Sequence, residues 1–279
     1  MPYLTRPPCP ALRHVVEHIG LQESASFSPD DPHTRILPTG TIDLVFHYGD
    51  RFLQFSADGE RDEPVAYVTG QRLSPIEVAA TGRTGIVVVG LYPWAAPAML
   101  GCNAAVLQGI TCDLRHFLPP DSIARLTDQL CRTQMPDARL ERVENFLLAY
   151  ASREYDSLAR FAALHLLRAP NLKITGLARE FGISKRQLDR RFDSAIGLTP
   201  KQFGRVMRFQ QALGALDRGI RPAQVAAETG YYDQAHMNHE FAALAASTPD
   251  SLFREREPTP LMASFNRNVS SFYNTLYLN

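Results

Sequence analysis

Two kinds of hydrophobic pattern follow one another along the chain. In GTIDLVFHYGD, Ile42, Leu44, Phe46 and Tyr48 alternate with Thr41, Asp43, Val45 and His47, the period of a strand that buries one face. RFLQFSADGE, EPVAYVTGQ and GIVVVGLYP offer further short strands between Asp, Gly and Pro punctuation, which predicts a barrel or sandwich. HVVEH, from His14 to His18, reads as the start of a short amphipathic helix. After Pro93 the period changes. WAAPAMLGC and PPDSIARLTDQLCRT are helical, and DARLERVENFLLAYAS puts Leu140, Val143, Phe146 and Leu147 on one stripe. That helix is predicted to close the first domain, with the boundary between Ser152 and Asp156. Beyond it the pattern is helical, beginning with DSLARFAALHLLRAP, which opens on an Asp/Ser cap and stops at Pro170. The expected fold class is α+β. A β-barrel-like domain with helices covers residues 1–152 and an all-α domain covers 156–257. In the tail, 258–279, alternating aromatics leave open an added strand or packing on a domain.

The helical part contains an internal repeat. Leu177, Ala178, Gly182, Leu188, Phe192, Pro200 and Phe203 are echoed by Val225, Ala226, Gly230, Met237, Phe241, Pro249 and Leu252, at an offset of 48 residues up to the glycine and 49 beyond it. The second copy therefore has one extra residue in its turn. Each copy reads as helix, tight turn, helix. In the first, Thr175 is expected to cap a helix that carries Leu177, Ala178 and Phe181 inward, Gly182 makes the turn and Ser184 caps the next helix. On that second helix Leu188, Phe192 and Ala195 form the buried stripe, leaving Lys185, Arg186, Gln187, Asp189, Arg190 and Asp193 outward. A helix-turn-helix lays such a face in the DNA major groove, where Arg reads guanine and Gln adenine while flanking cations hold phosphate. The matching positions of the second copy are Gln234, Ala235, His236, Asn238 and His239. PKQFGRVMRFQQALGALDRG joins the copies as one helix. About 18 residues at 1.5 Å give about 27 Å, and the width of flanking helices brings the two recognition helices near the ~34 Å of a DNA turn.

Charge sharpens this picture. Lys+Arg and Asp+Glu both number 29, but 160–257 holds 15 basic and 10 acidic side chains and all the lysines (Lys173, Lys185, Lys201). Within it, 173–221 carries 11 basic and 4 acidic residues, whereas 222–253 has no Lys or Arg and 4 acids. The helical part is thus suited to a polyanion and the remainder to something else, and within the helical part the first unit is expected to anchor DNA while the second contributes mainly through neutral donors. No run approaches the roughly 18 apolar residues of a membrane span, and the start lacks a basic leader with an apolar stretch, so a cytoplasmic location and no membrane partner are expected. Cys9, Cys102, Cys112 and Cys131 form no CxxC pair and are expected as reduced, mostly buried thiols.

LAREFGISKRQLDRRFDSAIGLTPKQF, RFQQAL and VAAETGYYDQAHMNHEF resemble the arabinose-regulator (AraC/XylS) family of bacterial transcription factors from about Leu158 to Arg254. LPTGTIDLVFHYGD, VTGQ and GLYPWAAPAML more weakly resemble the cupin-like sensor domain found with such regulators. The resemblance implies a regulator of transcription, not an enzyme. It would bind duplex DNA through two helix-turn-helix units, with a small-molecule effector, RNA polymerase and a second copy of the chain as further candidate partners. No cofactor is expected, and the cysteine pattern argues against a structural metal. The chain departs from the family in the second unit, where His239 and Ala242 stand for basic residues and Ala246 for the glycine before the Ser/Thr-Pro corner.

Other motifs carry rival readings. HVVEH matches the H-x-x-E-H zinc pattern without an identifiable third ligand. A cupin-type metal enzyme with appended DNA binding would need clustered histidines, and His33 and His47 are not a close pair. His236 and His239 are three apart on a helix, where surface or groove-facing roles are the commoner ones. A constitutive regulator whose first domain only dimerises is the other alternative. Trp94, between Pro93 and Pro97, is read as core packing ahead of a ligand-pocket wall.

Overall fold

A computed structural model describes residues 3–24, 33–56, 59–151 and 154–254; the tail lies outside the described residues. The amino-terminal part is built on two antiparallel sheets. The larger has the order β1 (Tyr3–Arg6), β2 (Val16–Ser24), β9 (Thr84–Leu91), β4 (Ile42–His47), β7 (Ala66–Thr69) and β10 (Thr111–Asp113). The smaller runs β3 (Thr34–Ile36), β8 (Ile76–Ala80), β5 (Phe52–Ser56) and β6 (Gly59–Asp62). Val45, Tyr67, Ile86 and Val88 of the first meet Phe52 and Val78 of the second. Among the described residues the sheets face each other and do not close into a barrel.

Strand β4 shows why the alternation was only half right. All six of its residues are buried, because the larger sheet is covered on both faces. Ile42, Leu44 and Phe46 join Val87 and Val89 of β9 in a core completed by Ile123, Leu126 and Leu130 of α2 (Pro120–Arg132) and Leu140, Val143 and Leu147 of α3 (Pro136–Leu148). Phe146 is only partly buried and meets Phe46 edge-on at 5.9 Å. Each of the fully buried aliphatic side chains contributes about 1.5–3 kcal/mol. Asp43, Val45 and His47 point the other way, into the space between the sheets.

HVVEH is not helical. From Val16 it belongs to β2, which pairs with β9 across an irregularity between Val16 and His18. Five residues are too few to separate the two periods, and Val15–Val16 next to a long partner strand favours extended chain. His14 and His18 are therefore not a turn apart. The 14-position ring nitrogen Nε2 lies 3.3 Å from the Ala151 carbonyl.

The helical part comprises α4 (Ser157–Arg168), α5 (Ile174–Glu180), α6 (Lys185–Ile196), α7 (Pro200–Asp217), α8 (Pro222–Glu228), α9 (Gln234–Ala245) and α10 (Pro249–Arg254). Asp156 caps α4 by accepting from the Ala159 N–H at 2.9 Å. Thr175 is not a cap: the chain turns helical directly after Lys173, which places Thr175 inside the first turn. One apolar cluster runs through both halves of the chain. At their contact a 3-10 turn, Ala104–Leu107, packs on α6, and the Gln210 amide of α7 donates to the Pro38 carbonyl. Trp94 is buried and stacks on Tyr92 at 4.8 Å. The cysteines are less buried than expected: Cys9, Cys102 and Cys112 are half-buried and Cys131 is exposed, all as free thiols. No described helix is long and apolar enough to cross a membrane.

Candidate functional site

The two repeats become two helix-turn-helix units, α5–α6 and α8–α9, held apart by α7. Gly182 (φ +66°) and Gly230 (φ +79°) occupy the left-handed region at their turns, which side chains resist. After Gly182 the chain reaches a cap in two residues. Ser184 and Gln187 form a reciprocal capping box at the start of α6. The extra residue of the second copy defers the cap to Asp233, whose carboxylate accepts from the His236 N–H at 2.7 Å.

On α6, Leu188, Phe192, Ala195 and Ile196 are buried, and Phe192 meets Phe203 of α7 edge-on at 5.6 Å. The opposite face lines an open groove with Ser184, Arg186, Gln187, Asp189, Arg190 and Asp193. Arg186 and Arg190 are exposed, one turn apart, and make no ion pair among the described residues. Lys185 is exposed and pairs with Asp189 at 2.5 Å, an exposed contact that a phosphate can exchange. The carbonyl end of Gln187 is committed to the capping box, leaving only its amide donors for another partner. Arg191 belongs to the fold: it grips Asp156 through two bonds of 2.9 Å.

The second unit differs in chemistry. Gln234, Ala235 and His239 are exposed on α9 and Asn238 is half-buried. His236 turns toward its own framework. Its Nδ1 accepts from the Tyr232 N–H at 3.3 Å and its Nε2 lies 4.0 Å from Glu240. Glu240 is buried and receives Arg205 at 3.0 Å and Arg208 at 2.6 Å. Burial pushes its pKa up, but Arg208 and Arg205 outweigh burial and hold it below the usual carboxylate value. Arg208 also reaches Asn171 at 2.8 Å and lies over the Tyr231 ring at 4.7 Å. Two cations counted for the first unit thus clamp the second. Sequence reasoning missed Tyr232, which stands 93% exposed beside the turn; the one-residue lengthening of the repeat was its signal.

A second constellation lies between the sheets. A cavity of about 30 Å³ is lined by Asp43, Glu63, Tyr67 and Thr69 on its polar side. Ile36, Val45, Phe52, Ile76, Val78 and Ile86 form its apolar walls. Glu63 is buried and held by His47 Nε2 at 3.1 Å and by the Tyr67 hydroxyl, which donates at 2.9 Å. Asp43 accepts from Thr41 Oγ1 at 2.7 Å and pairs with no cation among the described residues. Burial raises its pKa to about 6, against the Thr41 hydrogen bond. Nearby Glu17 is pushed to about 8 by burial and by Asp43. Burial lowers His18 to about 4; its ring covers Gly90, where an added Cβ would stand 2.1 Å away. His47 Nδ1, Gln22 Oε1 and Gln54 Oε1 are buried without a hydrogen-bond partner among the described residues. Of the sequence candidates for metal, His33 stacks on Phe55 at 3.9 Å and His47 faces Glu63. Among the described residues no group of three or more His, Cys, Asp or Glu side chains is placed to hold a metal ion.

Residues 177–255 match a family model described as a helix-turn-helix domain, and residues 4–113 match a domain of unknown function (DUF6597). An uncharacterized HTH-type transcriptional regulator, YbfI of Bacillus subtilis (strain 168), is 38% identical over 69 residues, a quarter of each chain. The solved structure of ToxT from Vibrio cholerae O395 aligns over 92% of this chain and 99% of its own, with 10% identity and a TM-score of 0.47. Wild-type ToxT of strain SCE256 with bound unsaturated fatty acid aligns over 83% and 92%, with 8% identity and a TM-score of 0.45. At that likeness neither structure bears on the ligand or mechanism of this chain.

Proposed function

We propose that residues 177–255, which match a helix-turn-helix domain model, form an AraC/XylS-type DNA-binding domain and that the whole chain is a sequence-specific transcription regulator of the cytoplasm, acting by binding and not by catalysis. In this reading residues 1–152 are a cupin-like sensor and 156–257 the DNA-binding domain. The observation that carries it is the pair of repeated units, one with Arg186 and Arg190 unpaired in an open groove, set apart by the 18 residues of α7. Arg186, Arg190 and the Gln187 amide face base edges, Lys185 faces phosphate, and Asp189 is released from Lys185 when phosphate takes its place. In the second unit Gln234, Asn238 and His239 act as neutral donors, Ala235 as a small apolar contact, and His236 orders the turn.

The inter-sheet cavity favours effector control over a first domain that merely dimerises. Asp43 lines that cavity with one neutral donor; a buried carboxylate without a charged partner costs free energy, and a ligand that satisfies it in one arrangement of the halves shifts the population toward it.

Selection of bound duplexes from a random pool tests the reading. A defined operator with two half-sites about one DNA turn apart is expected. Arg190→Ala should weaken operator binding by about 1–3 kcal/mol and relax preference at one base pair. Recovery of no sequence preference, or equal loss on operator and random DNA, would refute base reading by Arg190.

A further inference from the structure

The cavity between the sheets has a one-sided chemistry. Its polar lining presents the carboxylates of Asp43 and Glu63, with the Tyr67 and Thr69 hydroxyls, and among the described residues no Lys or Arg lines it. Arg72 stands nearby but is committed, donating to Thr69 Oγ1 at 3.1 Å, Thr111 Oγ1 at 2.7 Å and the Gly109 carbonyl at 2.8 Å. Glu63 is satisfied by His47 and Tyr67. Asp43 has one neutral donor and no cation. The charge of Arg72 acts on Glu63 and Tyr67, so what is missing, at Asp43 alone, is a donor of hydrogen bonds that carries positive charge. The remaining walls are aliphatic and aromatic, which disfavours a sugar or other polyol, and an anion would meet two buried carboxylates.

We propose that this cavity binds a small organic amine, its ammonium on Asp43 and its hydrocarbon body against Ile36, Phe52 and Ile76. The assignment rests on the effector reading given above. The free space of about 30 Å³ holds roughly two waters, so the ammonium replaces water and the body enters by displacing Ile36, on the edge strand β3, and its register partner Ile76 on β8, both only half-buried. A charge-assisted bond in a buried site is about twice as strong as a neutral one, which makes Asp43 the anchor.

Asp43 is also tied to the DNA-binding half. Its carboxylate accepts from Thr41, whose hydroxyl meets that of Thr39 at 2.7 Å. Thr39 follows Pro38, whose carbonyl receives the Gln210 amide of α7. An ammonium that draws on Asp43 acts on the loop that α7 grips.

The test uses the full chain and three probes of matched shape: n-butylamine, n-butanol and butyrate. The amine should raise the thermal midpoint in a concentration-dependent way, and the other two should not. Asp43→Asn, which keeps shape and the Thr41 contact, should weaken the amine effect about ten-fold or more, as for loss of a charged hydrogen bond. Equal responses to all three probes, no response to the amine, or an undiminished response in Asp43→Asn would overturn the proposal. Operator binding by the parent chain without any probe is read separately: its absence would count against the regulator reading, whereas the thermal shifts test the amine site alone. Gln210→Ala should keep the amine's thermal shift and lose its effect on operator affinity; an unchanged effect on affinity would overturn the link through Pro38.

Discussion

Glu17 is a buried acid whose protonation the fold has to support, and this gives stability a pH dependence of calculable sign. Its pKa is about 8 in the folded chain against 4.5 for a free side chain. Between those values the native state keeps a proton that the unfolded state has lost, so stability falls as pH rises, and the loss is complete above the folded value. His18 acts oppositely: lowered from 6.5 to about 4, it makes stability rise with pH until about 6.5. Asp43, raised from 3.8 to about 6, has finished its own loss by then. The window from pH 6.5 to 8 therefore isolates Glu17. At about 1.4 kcal/mol per pH unit, the parent should lose roughly 2 kcal/mol across it. Glu17→Gln removes the titration while keeping the shape, and its stability should stay level over the same window. Trp94 is the chain's single tryptophan and lies buried in this half, so urea unfolding followed by its fluorescence reads the effect directly. Equal slopes for parent and Glu17→Gln, or a parent that gains stability between pH 6.5 and 8, would refute the reasoning.

Phe192 is fully buried against Phe203, so Phe192→Ala should cost about 3–5 kcal/mol of stability; loss of DNA binding at parental stability would place it in the groove instead. Ala246 ends α9 in the left-handed region at φ 51°, where Gly197 (φ 85°) ends α6. Relief of that conformation, less the entropy glycine adds to the unfolded chain, should make Ala246→Gly about 0.5–1 kcal/mol more stable in urea melts. His239→Arg should tighten operator binding and steepen its salt dependence by about one counterion. Scrambling the half-site under the first unit should abolish binding and scrambling the other should cost far less; equal penalties would refute anchoring by the first unit.

The strands were readable where alternation ran for several residues between Gly and Pro stops, as in β4 and β9. Burial of both faces was not readable, because it depends on α2 and α3 crossing one side of the sheet and β5 and β8 the other. HVVEH failed for the converse reason: its apolar spacing fits a helix locally, while its conformation is set by β9, some seventy residues away in sequence. The repeat was legible in detail because each helix-turn-helix is held by local signals: a glycine, a cap and a buried stripe. The capping role of Gln187 was available in the same signals, since Ser-x-x-Gln before an apolar stripe is a capping box.

Charge was the least transparent quantity. A sequence count treats every arginine alike, but Arg191 is spent on the α4 cap and Arg205 and Arg208 on Glu240, so the unpaired cations of the recognition face reduce to Arg186 and Arg190 with an exchangeable Lys185. The same pairing changes the meaning of the acidic second unit. Glu240 does not repel a phosphate at full charge, because two guanidiniums that α7 supplies surround it. Removing one partner of a buried ion pair commonly costs about 3–5 kcal/mol, so this clamp ties α9 firmly to α7. With a strained Ala246, no exposed cation on α9 and His236 bonded into its own turn, the second unit is better built to be held than to hold DNA. Its contribution to operator affinity then depends on where α7 carries it, and α7 is the helix that Pro38 grips from the sensor side.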